Sequence, residues 1–149
     1  MPSLLLFAIC QKAIIDKQDG LVSMIGIING ISMQVTPGES ILPDSVVPLP
    51  WATVASWLRS PEDEEKTFQI KIEILSSGGE IKLSVEGEPF KMYQRTVQTT
   101  VSGFGFPVEQ QGIYPIKLLL REVGVDSWEE ISSFPFEVIF LTQQGVTDG

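Results

Sequence analysis

Strict alternation of apolar and polar residues dominates the stretch from Phe68 to Val85. Phe68, Ile70, Ile72 and Ile74 alternate with Gln69, Lys71 and Glu73. After Ser76-Ser77-Gly78-Gly79, Ile81, Leu83 and Val85 alternate with Lys82 and Ser84. Successive side chains of a strand leave opposite faces, so this spacing predicts two half-buried strands, and the glycine-containing connection joins them as a β-hairpin. One hairpin cannot hide its apolar face alone and needs a second layer across from it.

Most of the remaining chain reads as that layer. Residues 4–10 form an apolar first strand, and residues 11–20 form a polar turn around Asp19-Gly20. In residues 21–35, Leu21, Ile25, Ile27, Ile31, Met33 and Val35 share parity, with Asn29-Gly30 between them. That pair is a hairpin signal, but the shared parity slightly favours one long strand with a bend or bulge. Pro37, Pro43, Pro48 and Pro50 exclude a helix or a central strand, so residues 36–50 read as a long connection between sheets. Residues 51–58 read as a strand, with Trp51, Ala55 and Trp57 opposite Val54 and Leu58, although a short helix fits the same pattern. Ser60 to Lys66 is a charged loop, and Glu86 to Pro89 breaks the chain again. Three strands follow, carrying Tyr93, Val97 and Val101 into Phe104 and Phe106, then Tyr114 to Leu120, then Phe134 to Phe140. The two phenylalanines of Gly103-Phe104-Gly105-Phe106-Pro107 are expected on one face.

About eight strands with turns at short intervals predict an all-β chain, an antiparallel β-sandwich with Greek-key connection, immunoglobulin-like or C2-like. The chain has 149 residues, enough for one self-sufficient core. A single domain over 1–141 is expected, followed by a flexible tail over 142–149.

Charge and missing residue types narrow the chemistry. With 19 acids against 10 bases, the net charge of -9 argues against nucleic acid and against anionic membrane. There is no histidine and one cysteine, Cys10. Ser-His-Asp and Cys-His catalysis, His-ligated metals, multi-cysteine zinc sites and internal disulfides all fall away. Cys10 ends an apolar run and is expected to be a buried, inert thiol. The apolar start lacks a preceding Lys or Arg and spans about seven residues, so it reads as a strand and not as an export signal. No run approaches the ~20 apolar residues of a membrane helix, and a soluble, cytoplasmic protein is expected.

Four features bear on function. Glu62-Asp63-Glu64-Glu65, with Asp16, Asp19, Asp44 and Asp126 in other loops, suggests calcium, but lacks the spacing of a calcium loop and reads more simply as a solvated turn. Glu73, Glu80, Glu86, Glu88, Glu109 and Glu137 leave room for a carboxylate pair without selecting one. Trp51, Trp57 and Trp128 could form a sugar-binding face, with Trp128 beside Glu129-Glu130 the most exposed; the alternative places two of the three in the core. The Gly103–Pro107 segment, with Phe104 and Phe106, could accept a partner strand or be a bent core strand.

The run Asp16-x-x-Asp-Gly-x-x-Ser-Met-Ile-Gly-Ile-Ile, with Gln111-Gly112-Ile113-Tyr114 entering a later strand, resembles a family of small bacterial single-domain β-sandwich proteins of unknown function. The resemblance implies a fold and carries no catalytic residue. The function expected is a non-enzymatic protein-interaction or assembly module, with no cofactor, bound to a protein partner or to itself. A carbohydrate- or calcium-binding module is the alternative. The candidate interaction surface is Trp51, Trp57, Phe104, Phe106 and Trp128.

Overall fold

The computed structural model describes residues 1–16, 18, 21–35 and 45–142. Among them lie ten strands: β1 (Ser3–Ile15), β2 (Val22–Ile27), β3 (Gly30–Val35), β4 (Val46–Leu58), β5 (Thr67–Leu75), β6 (Ile81–Glu86), β7 (Phe90–Lys91), β8 (Thr96–Pro107), β9 (Gly112–Glu122) and β10 (Glu129–Thr142). A 3-10 turn over Pro61–Asp63 is the only helical element among the described residues. One sheet runs β2-β1-β4-β8. The other runs β3-β10-β9-β5-β6, with β7 also paired to β5.

One apolar cluster draws on both sheets. Ile9, Trp51, Ala55, Trp57, Val97, Val101 and Phe106 come from the first sheet; Phe68, Ile70, Ile72, Ile74, Tyr114, Ile116, Leu118, Leu120, Phe136 and Val138 come from the second. Each large aliphatic or aromatic side chain buried this way contributes about 1.5–3 kcal/mol of transfer free energy. The expected β5–β6 hairpin is present, with Ile72 opposite Val85 and Ile74 opposite Leu83.

Among the described residues the expected antiparallel arrangement holds for every pair but one. β3 lies parallel to β10, from Gly30 opposite Glu137 to Val35 opposite Thr142. The cause is at Asn29-Gly30, which is neither a hairpin turn nor a bulge within one strand. The chain leaves the first sheet after β2 and enters the second as β3. A Cβ on Gly30 would stand 2.2 Å from the Glu137 carbonyl oxygen, so only glycine lets β10 pass there. The Glu137 amide donates to the Asn29 carbonyl at 3.2 Å.

Prolines inside strands sit where a neighbour is missing. Pro115 and Pro135 face each other in the β9–β10 pair. Directly opposed residues of an antiparallel pair either exchange both bonds or point both away. Two prolines must point away, toward the sides where β5 stops at Ile116 and where β3 starts at Glu137. Pro48 and Pro50 likewise correct the expected 36–50 connection, because β4 already begins at Val46. There, among the described residues, it pairs with β8 alone, through a register shift between Val47 and Pro50, and its pairing with β1 begins only at Ala52. The rest of that connection, 36–44 with Pro37 and Pro43, lies outside the described residues, as do residues 143–149 of the expected tail.

Phe104 and Phe106 do not share a face. Gly105 has φ 102°, a left-handed conformation, and reverses the alternation: Phe104 is 75% exposed and Phe106 is buried against Tyr114 and Phe136. Gly105 leaves room for Val46, and Gly103 for Trp51. The Trp51 Nε1 donates to the Gly105 carbonyl at 3.0 Å, and a Cβ on Gly103 would meet the indole ring at 2.5 Å. Gly103→Ala is therefore expected to lower the unfolding free energy by about 1–3 kcal/mol through overpacking. Ser102→Ala, on an exposed neighbour, should stay within about 0.5 kcal/mol. Urea unfolding followed by tryptophan fluorescence measures both, and equal midpoints would refute the packing.

Candidate interaction surface

The second half of β1 carries the chain away from the core. Its pairing with β4 ends at Cys10 opposite Ala52, while its pairing with β2 runs from Cys10 opposite Ile27 to Ile15 opposite Val22. The stretch expected to be a polar turn from residue 11 is thus a two-stranded ribbon as far as Ile15. Ile9 faces the main core, yet Ala13, of the same parity, packs into a second cluster. The strand turns over between them, where Gly26 holds φ 67° and a Cβ on it would touch the Gln11 side chain at 2.8 Å.

This second cluster is Cys10, Ala52 and Val54, covered by Ala13, Val22 and Met24 of the ribbon. Ala52 and Val54 alternate with the core residues Trp51 and Ala55, so the ribbon lies on the outward side of β4. The Cys10 thiol is fully buried, its Sγ is 3.6 Å from the Ala52 carbonyl, and burial pushes its pKa up.

A ribbon packed on one side should be polar on the other. This one is not. Leu21, Ile25 and Ile27 are 64%, 48% and 62% exposed, and Ile14 and Ile15 are exposed as well. β2 is also the edge of its sheet, with β1 as its one neighbour among the described residues.

The outward face of the other sheet shows the ordinary solution around β5, while Ile113, Ile139 and Leu141 toward its β3 side are exposed. Arg121 donates to Gln69 at 3.0 Å, Lys117 pairs with Glu130 at 2.8 Å, and Lys71 pairs with Glu73 at 3.6 Å. Trp128 lies over this layer, its ring centre 4.6 Å from Lys71 Nζ and 4.3 Å from Arg121 Cζ. Such cation–π contacts fix a partly exposed ring.

The five aromatics expected as an interaction surface are not brought together. Trp51, Trp57 and Phe106 are buried, and a ring with no exposed face offers nothing to a ligand. The Trp57 Nε1 donates to Thr99 Oγ1 at 3.0 Å. Phe104 is exposed opposite Pro50, and Trp128 is partly exposed over the polar layer.

The acidic loop is not wholly solvated. Asp63 is buried; its carboxylate accepts the Ser60 amide at 2.7 Å and lies 3.1 Å from the Met1 amino nitrogen. Among the described residues no three His, Cys, Asp or Glu side chains converge as a metal site. Asp19 and Asp44 lie outside the described residues. Of the six candidate glutamates, Glu80 and Glu109 do meet, with Lys82 between them. The hydrogen bond to Glu109, reinforced by Glu80, holds the Lys82 ammonium charged above the usual lysine range. Because the folded value is the higher one, that stabilisation is fully present below the ordinary lysine pKa and is lost as pH rises through the folded value. The trio ties the β5–β6 turn to the β8–β9 loop, helped by Gln110 donating to Ser77 at 2.7 Å.

The outer depressions are open. One of about 450 Å³ lies among Gln111, Ile113, Glu137 and Ile139. No described helix is long and apolar enough to cross a membrane. The chain matches no protein-family model and no curated protein.

If the ribbon covers Cys10, a thiol reagent should modify the native protein about 100-fold more slowly than the unfolded chain. Met24→Ala should raise the native rate. Equal rates in native and unfolded protein would place the ribbon elsewhere.

Proposed function

We propose that this chain is a β-sandwich binding module that acts through protein contacts and performs no catalysis. Support for the sandwich comes from the core drawn from both sheets and from Tyr114. That phenol is buried; it accepts the amides of Glu109 at 2.9 Å and Gln110 at 3.0 Å and donates to the Gln110 carbonyl. A tyrosine bonded back to the backbone a few residues upstream is a corner device of Greek-key sandwiches.

The observation that carries the binding role is the apolar ribbon. Exposed aliphatic side chains on a strand with one neighbour among the described residues give up transfer free energy in the isolated chain, and a partner that covers them recovers it. An open strand edge adds a row of backbone donors and acceptors, the means by which sheets accept another strand. The carbohydrate reading retains only Trp128, and two cations already rest against that ring.

Replacing both Ile25 and Ile27 by lysine tests the reading. If these side chains serve a partner, the isolated variant should lose less than about 1 kcal/mol of stability. Its retention on an apolar matrix should fall sharply. A loss of several kcal/mol would make them part of the fold and sink the proposal.

A further inference from the structure

We infer that the partner seated on β2 is a second copy of this chain, with the two β2 edges paired antiparallel about a two-fold axis. The inference rests on the binding reading above and adds the identity of the occupant. Charge supplies the argument. Residues 21–35, through β2, the crossing and β3, are fifteen consecutive positions without an ionisable side chain, in a chain of net charge -9. A basic partner would be drawn to carboxylates, and this strip has none. Two copies of an acidic protein repel, except where neutral surface meets neutral surface. The strip is where they can approach without setting like charges against each other.

Edge geometry agrees. Soluble proteins blunt exposed edges with lysine, proline or an inward charge. β2 reads Val-Ser-Met-Ile-Gly-Ile and carries none of these; its one irregularity is the turn-over at Gly26, which leaves Val22 to Ile25 as the regular part of the edge. Antiparallel pairing of identical edges is self-complementary and closes after two copies, so it gives a dimer and no fibre. It would join two four-stranded sheets into one of eight strands. Ile25 and Ile27 of each copy would lose solvent at the seam, alongside Leu21. The apolar patch is small beside the ~800 Å² per partner of a standard interface, so affinity should be modest, with a dissociation constant of about 1–100 µM.

Sedimentation equilibrium of the full chain, from about 1 to about 200 µM, tests the inference against that range. The expected mass moves from 16.4 kDa toward twice that value as concentration rises. Added salt should strengthen association, because it screens repulsion between like-charged copies. Ser23→Lys and Ile25→Lys, each on the exposed edge, should weaken it at least about tenfold by bringing like charges together at the seam. Ile139→Lys, on the other sheet, should not. A monomer throughout the range would overturn the second copy as occupant, as would a dimer indifferent to Ser23→Lys and Ile25→Lys. Either result leaves the ribbon's binding role to stand or fall on the stability of the Ile25, Ile27 double variant.

Discussion

One apolar core drawn from two sheets can hide only one face of each strand. Trp57, Phe68, Tyr114 and Phe136 fill that core from both sheets, and period-two alternation then sends every second side chain outward. Each outward face must be polar, be covered, or lie bare. Along β5 and the Lys117 and Arg121 positions of β9 it is polar, held in a network of ion pairs and hydrogen bonds with Trp128 laid over it. On β4 it is apolar and covered by the ribbon. On the ribbon itself it is mostly aliphatic, with Lys12 and Ser23 between, and no described residue covers it; the functional reading follows from that contrast.

The same constraint bears on dynamics. A two-stranded ribbon is marginal on its own in water, so this one depends on the few contacts that Ala13, Val22 and Met24 make with Cys10, Ala52 and Val54. Its opening costs less than unfolding of the core, where Trp57 and Tyr114 are wholly buried. Covering the ribbon from outside would raise that cost, coupling partner binding to local order. The crossing at Asn29-Gly30 links the ribbon to β3, so the β2 edge of one sheet is continuous in sequence with an edge strand of the other.

Regular alternation was legible and its interruptions were not. The β5–β6 hairpin, Tyr114 to Leu120 and Phe134 to Phe140 could be read directly because period two runs through them unbroken. Phe104 and Phe106 misled because Gly105 at φ 102° inserts a reversal that residue spacing does not reveal. Pro48 and Pro50 suggested a loop because a lone sequence does not show which strand edge lacks a neighbour. Trp51 and Trp57 looked like possible ligand contacts since an indole suits either environment; their hydrogen bonds to Gly105 and Thr99 settle them inside. The ribbon was missed for a local reason. Ala13-Ile14-Ile15 is short and abuts Asp16, so it merged with the turn, although three apolar residues ahead of that turn were the available signal.

The central claim is that the β2 edge, which has β1 as its one neighbour among the described residues, is closed by the partner proposed above, a second copy of the chain. Amide hydrogen exchange of residues 22–27, measured at two protein concentrations on either side of the expected ~1–100 µM dissociation range, addresses it most directly. Protection of β2 amides should rise at the higher concentration, while the amides of β5 and β9, buried in the middle of the other sheet, stay unchanged. Equal protection of β2 at both concentrations would contradict the account.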